Sequence, residues 1–548
     1  MSRPIELSQT RGRNKPADAS RQPAQSTGDS SVNKETTGGS TYVQALKSTS
    51  IIGGSTFIAL LFRMVRTKVL ALWLGPAGVG LEGLYNSIID LGKNLSGLGI
   101  NMSGVRQIAA AVGTGDQQVV ARTVITLRRI SVIIGVIDAT ALFVLRKPIS
   151  RLTFNTDDYA GSVGVLAIIL FFAAVSAGQG ALLQGTRRIG DLAKMIIIGA
   201  VISTVVSIPI VYVWGIAGIT AYLIIGAALG TLVSWLYARR VRVEAVTVSL
   251  AQAASEASAL VKLGVILMLS GLMSVGASYL LRVLVTHQEG VDGVGQFQAA
   301  NNLSMIYISF ILQAMGADFY PRLTGVAMDH AKCSQMVNEQ AEVSLLLALP
   351  GILGTLAFAP WVIHVFYSAK FGIATEILCW QMTGMLLRVG CWPLGMVPVA
   401  IGRAKISLWT ETAAAAVYLL FAWIGLKYFG LPGTGMAFVG SYIVYGFLIY
   451  AVVRNVAGFR WSASNVRLAL WGTLAVAIAF IAHLLLSTLW ALAIGGVLTL
   501  ITGTYCFKTL WNLVGVERIN RNLQKLGIRF SFRQNPGLKR DSDGAGDE

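Results

Sequence analysis

Apolar runs of about 20 residues recur along this chain, separated by short polar or basic stretches. Each run is long enough to cross a bilayer as a helix. About 14 can be placed, the first at 48–74 and the last at 490–512. The pattern predicts an all-α polytopic membrane protein with about 14 transmembrane helices. Composition agrees: of 548 residues 54% are hydrophobic and 13% charged, with mean hydropathy +0.64. A soluble chain this apolar would have to bury an implausible share of its surface.

The chain contains 44 Lys and Arg. Most fall in loops and tails on one side of the predicted membrane. The loops of the other side hold only Arg146, Lys147, Arg151, Lys370 and Lys427. This asymmetry predicts cytoplasmic N- and C-termini and an even number of spans. It also accounts for most of the net charge of +18 without nucleic acid, since no basic stripe is interleaved with exposed aromatics. The far-side loops are too short for a catalytic domain, so an enzyme is disfavoured. The four cysteines and four histidines form no metal-ligating cluster, and Cys379, Cys391 and Cys506 read as small core residues.

The chain also repeats itself. GPAGVGLEGLYNS at 75–87 aligns with GVDGVGQFQAANN at 290–302, placing Asn86 and Asn301 together. Lys47 and Lys262 share the offset, Arg66 and Arg282 match with one residue of slippage, and WGIAG at 214–218 echoes FGLPG at 429–433. A duplicated six-span unit follows. Two like-oriented copies predict two pseudo-symmetric six-helix lobes around a central cavity, plus two C-terminal helices. Residues 1–45 read as a disordered cytoplasmic tail, 46–240 as the N-lobe and 241–259 as a cytoplasmic linker. Residues 260–455 form the C-lobe, 456–512 spans 13 and 14, and 513–548 a basic cytoplasmic tail suited to anionic lipid.

Six cations lie inside predicted spans: Arg63, Arg66, Lys68, Lys93, Arg282 and Arg388. Each costs about 2.5–3.5 kcal/mol at a span centre, which the apolar neighbours only partly offset. Lys68 lies nearer the outer end and is expected to snorkel to the headgroups. Arg63 and Arg66 share a helix face. The second span carries a polar stripe of Glu82, Asn86, Asp90, Lys93, Asn94 and Asn101; the eighth answers with Gln298, Asn302 and Gln313. Such stripes must face protein or water. Together they predict a wet cavity with excess positive charge, suited to an anionic cargo. The competing reading is internal pairing of Arg66 with Asp90, of Arg388 with Glu376 or Glu411, and of Asp90 with Lys93.

LALWLGPAGVGLEGLYNSIIDL at 70–91, LLQGTRRIGDLAK at 182–194 and VAIGRAKISLW at 399–409 resemble Wzx-type O-antigen and exopolysaccharide flippases. These belong to the multidrug/oligosaccharidyl-lipid/polysaccharide exporter superfamily. The resemblance covers most of 46–455. It implies two lobes forming a V, alternating access, and a polyprenyl-pyrophosphate-linked oligosaccharide moved from inner to outer leaflet of a bacterial inner membrane. It further implies that Arg63, Arg66, Arg282 and Arg388 are the pyrophosphate ligands, and that spans 13 and 14 line a groove for the prenyl tail. Membrane lipids and a polysaccharide polymerase are the expected partners. No cofactor is expected; coupling to H+, Na+ or the membrane potential would reset the lobes, with Asp90, Asp138, Asp318 and Glu411 as candidates. The alternatives are a cation-coupled drug antiporter of the same superfamily and, below it, a membrane enzyme of a polysaccharide pathway.

Overall fold

The computed structural model describes residues 35–96, 100–241 and 250–514. The chain divides into two compact units, 1–51 and 52–548, and everything below concerns the second. The predicted tails, and the linker up to residue 249, lie largely outside the described residues.

Every regular element among the described residues is helical. In chain order α1 is Glu35–Trp73, α2 Gly75–Ser96, α3 Ile100–Gly113, α4 Gln117–Val144, α5 Arg146–Phe154, α6 Ala160–Gly185, α7 Ile189–Trp214 and α8 Gly218–Ala238. The second half has α9 Leu250–Val326, α10 His330–Ala357, α11 Ala359–Phe366, α12 Gly372–Ala400, α13 Ala404–Phe429 and α14 Pro432–Ala457. Last come α15 Ala463–Leu485 and α16 Thr488–Val514.

By length and apolarity eight described segments can cross a membrane, or nine with the bent α9 counted, rather than fourteen. Beyond α9, counted once across two predicted spans, the count falls short for two reasons. First, α7 and α8 pass together as one segment of 50 residues. Second, α1 and α2 carry the charged positions noted above and α4 carries Arg122, Arg128, Arg129 and Asp138, which lower their mean hydropathy. Two short helices were not foreseen: α5 in the far-side loop, and α11, split from α10 at Phe358 inside a predicted span. The predicted seventh and eighth spans run as α9, which breaks at Gly290 with φ 71° and ψ −174°.

The internal duplication is written into the backbone. Left-handed residues occur at Gly75 and Gly290, at Arg187 and Gly402, and at Gly215 and Gly430. Each pair is separated by the same 215 positions. At the second pair, the amide of Arg188 donates to Leu183 O at 2.9 Å and that of Arg403 to Pro398 O at 2.8 Å, matching helix terminations one repeat apart.

The two copies also meet through the same motif. A Cβ on Gly80 would fall on the carbonyl oxygen of Val291, and a Cβ on Gly295 would fall on that of Pro76. Residues 76 and 291, like 80 and 295, are repeat mates, so the contact is reciprocal. α2 and the C-terminal arm of α9 therefore cross backbone to backbone, as small residues permit. Within each half, α6 packs on α3, α4 and α8, and α12 on α9, α10 and α14, while α15 and α16 lie against α10.

Three further contacts tie the halves at the end bearing Gly75 and Gly290. Lys68 Nζ donates to the carbonyls of His364 (2.8 Å) and Tyr367, where it faces the negative end of α11. It is thus a helix cap rather than a headgroup snorkel, because the free carbonyls at the C-terminal turn of α11 engage its ammonium. Thr153 Oγ1 and Tyr279 OH share a hydrogen bond of 2.6 Å, and His287 Nε2 lies 2.9 Å from Leu152 O.

Gly295→Ala should cost about 1–3 kcal/mol, because the added methyl must push two backbones apart. Gly80→Ala should cost a similar amount, and the double variant less than the sum, since both act on one contact. Gly496→Ala, with open space at its Cβ, should be neutral. Thermal unfolding of the detergent-purified protein measures all four.

Candidate functional site

Two helix pairs build the site. α1 and α2 join at Leu74–Gly75, and both line the first of the chambers described below. Arg66 lies nine residues before Gly75 and Glu82 seven after it. Arg66 Nη2 and Glu82 Oε1 are 3.0 Å apart, with side chains 15% and 8% exposed. Arg66 Nη1 also donates to Ser203 Oγ of α7 at 2.9 Å, and its guanidinium lies 5.8 Å from the Tyr222 ring centre of α8. The partner anticipated in the sequence, Asp90, is two turns further along α2 and pairs instead with Lys93 at 3.5 Å.

The bend at Gly290 makes the second pair. Arg282 lies eight residues before it and Gln298 eight after. Arg282 Nε donates to Gln298 Oε1 at 2.9 Å and Nη1 to Ser278 O at 3.0 Å. Gln298 Nε2 then donates to Asn302 Oδ1 at 2.7 Å. The repeat thus sets an arginine against a carboxylate in one half and an arginine against an amide in the other. Among the described residues no carboxylate lies within ion-pairing distance of Arg63, Arg282 or Arg388. Arg388 Nη1 touches Met305 Sδ at 2.8 Å, and the pairing with Glu376 or Glu411 does not form.

These groups line two adjoining chambers. The first, about 670 Å³, is walled by α1, α2, α7 and both arms of α9 and holds Arg63, Arg66, Lys93 and Arg282 with Glu82 and Asp90. Asn86, Gln298 and Asn302 line it too. The second, about 660 Å³, lies among α9, α12, α13 and α14 and holds Arg388 and Glu411. Ser274, Ser278 and Arg282 belong to both. Across the pair, five cations face three carboxylates, so an anion finds unmatched guanidinium donors in both chambers.

The family model described as "Polysaccharide biosynthesis protein" matches residues 69–375. The chain belongs to the polysaccharide biosynthesis protein family. It is 25% identical over 411 residues to proteins named "Lipid III flippase" from Escherichia coli (strain K12) and Shigella flexneri, covering 71% of this chain and 94% of theirs. Among solved structures, an inward-facing MATE family transporter of the MOP superfamily superposes with TM-score 0.64 at 17% identity, over 73% of this chain and 95% of that one. The lipid II flippase MurJ, in an inward closed conformation, gives TM-score 0.65 at 13% identity over 83% and 98%. The fold is that of the MOP superfamily.

Not every predicted residue of this polysaccharide biosynthesis protein reaches the chambers. Gln313 is exposed and does not line them. Asp318 is exposed and pairs with Arg322 at 3.0 Å. Asp138 is buried within α4. The Asn94 amide packs on Gly271 rather than into the first chamber. The Asn101 side chain lies outside the described residues. The sequence reading missed Glu82 as the partner of Arg66, the contribution of α7 through Ser203, and the tyrosines of the second chamber. The spacing of Phe438, Tyr442 and Tyr445 along one face of α14 would have found the last. Among the described residues no group of His, Cys, Asp and Glu could hold a metal ion.

Glu82→Ala leaves Arg66 buried without a counter-charge and should lower stability by about 3 kcal/mol. Replacing both residues by Met should recover most of that loss. Thermal melts of the single and double variants give the comparison.

Proposed function

We propose that this protein is a flippase that carries a polyprenyl-pyrophosphate-linked oligosaccharide from the inner to the outer leaflet of a bacterial inner membrane, for O-antigen or exopolysaccharide synthesis. The observation that carries the reading is the arginine surplus of the chambers, above all Arg282, half-buried and facing an amide where its repeat mate faces a carboxylate. A pyrophosphate supplies the missing negative charge, and forked guanidinium donors match its oxygens. The relatives named lipid III flippase support the cargo class.

The mechanism is solvent substitution followed by rocking. Phosphates and sugars cannot enter hydrocarbon unaided, whereas chambers lined by Arg, Asn and Gln replace their water. The prenyl chain stays in lipid, with α15 and α16 beside its path. With both termini cytoplasmic, the end tied by Lys68 and the glycine crossing is the outer one. The chambers then await cargo from the inside. The higher TM-score to an inward-facing MATE transporter (0.64) than to an outward-facing one (0.55) supports that state. Asp90 and Glu411 are the two proposed ion-coupling groups that line the chambers. After release, the glycan would meet a polymerase at the outer face, and no chemical step is required of this chain.

A cation-coupled drug antiporter shares the fold, but unpaired arginines repel a cationic drug.

In vesicles reconstituted with a labelled lipid-linked oligosaccharide, Arg282→Ala should slow transfer about tenfold or more, with normal membrane insertion. Arg282→Lys should recover part of it, because the charge remains and the fork is lost. Transfer by Arg282→Ala at the wild-type rate would remove the arginine from the cargo site.

A further inference from the structure

The second chamber differs from the first in kind. Its wall is aromatic, formed by Trp392 of α12, Tyr418 of α13, and Tyr442 and Tyr445 of α14. The rings are fixed by one another: Phe438 lies 6.0 Å from Tyr418 and 4.8 Å from Tyr442, and Tyr442 and Tyr445 meet edge-on at 6.0 Å. None of the three tyrosine hydroxyls has a hydrogen-bond partner among the described residues. Arg388 and Glu411 line the same space without pairing, the first against a thioether and the second against Ser407 Oγ at 3.4 Å.

These features narrow the occupant. A prenyl or acyl chain would leave three hydroxyls and a guanidinium in hydrocarbon, which is costly. A pyrophosphate has no use for four aromatic faces. A sugar ring satisfies both kinds of wall: its C–H face stacks on an aromatic ring, and its hydroxyls donate and accept at the rim. Adjacent hydroxyls also suit the planar forks of an arginine and a carboxylate. The volume is that of a small-molecule pocket. Position narrows which sugar: Arg282, Ser274 and Ser278 line both chambers, so the two adjoin, and a glycan joined to a phosphate at Arg282 has its first sugars beside the second chamber.

We propose that the second chamber is a saccharide subsite, in which the tyrosine wall and the Arg388 and Glu411 forks hold the sugars nearest the pyrophosphate. Arg388 accordingly reads the glycan rather than the phosphate. The assignment rests on the flippase reading and adds to it where selectivity for the glycan is built.

The test measures binding of two lipids to the full-length protein in nanodiscs: undecaprenyl pyrophosphate, and the same lipid carrying N-acetylglucosamine. Wild-type protein should bind the glycosylated lipid about tenfold more tightly. The combined variant Tyr418→Phe, Tyr442→Phe, Tyr445→Phe keeps every ring and should lose that preference while binding the bare lipid as before. Arg388→Gln should act in the same direction. Equal binding of both lipids by wild type, an undiminished preference in the triple variant, or equal loss of both lipids in it would each overturn the subsite. If wild type binds neither lipid, the flippase reading itself fails, and the subsite falls with it; Arg282→Ala, expected to weaken both lipids, separates the two readings.

Discussion

The closest approach between the two halves is made by backbone, not by side chains. Gly80 and Gly295 each leave room for the other repeat's carbonyl, at Val291 and at Pro76. In a membrane no hydrophobic force drives helices together, since lipid is as apolar as leucine; close packing of small residues does that work. Because the contact is reciprocal, it lies on the pseudo-twofold axis that relates the repeats. The Lys68 contacts and the Thr153–Tyr279 hydrogen bond add polar ties between the halves. Further along the same helices, away from Gly75 and Gly290, two chambers open. The cavity follows from the crossing: helices pinned at one point by glycine cannot also pack along their polar stripes.

Duplication placed one arginine in each half, and divergence gave them different partners. Arg66 is matched by Glu82 and buried with it, so its charge is cancelled locally. A buried pair of this kind contributes little net stability and mainly prevents the cost of either charge alone. Arg282 meets Gln298, which solvates a cation without neutralising it. The side chain is therefore available to an anion at little rearrangement. Symmetric positions have become a structural arginine and an exchangeable one.

Much of the fold was legible in the sequence because it depends on period and composition. The helical runs, the 215-residue repeat and the polar stripes of α2 and α9 all declare themselves without knowledge of packing. The site was legible as a set and not as a set of pairs. Arg63, Arg66, Arg282, Asn86 and Gln298 share a chamber as expected, but which acid along α2 meets Arg66 is a matter of two helical turns that periodicity does not fix. Lys68 misled because nothing local announces that a distant helix, α11, ends beside it. The tyrosines of α13 and α14 were hidden by their chemistry: in a membrane protein an aromatic residue reads equally well as core, as lipid contact or as ligand platform. Arg187 carries no sign of its left-handed backbone except its repeat mate, Gly402.

The polar ties at the closed end bear on how such a molecule could change state. A hydrogen bond from a charged donor contributes about 1.5–3 kcal/mol, and a neutral one about 0.5–1.5. The Lys68 cap and the Thr153 and His287 contacts together amount to several kcal/mol, enough to hold one conformation in excess. An equilibrium held by that amount is reversed only by a ligand with a comparable difference in affinity for the two states. On the proposed flippase reading a dianionic headgroup has the means: entering chambers where five cations face three carboxylates, it removes repulsion among those cations and so favours the state that holds them closer together. On that reading the charge surplus serves both recognition and transition, and a cargo without phosphate would fail at the second even if its sugars were bound.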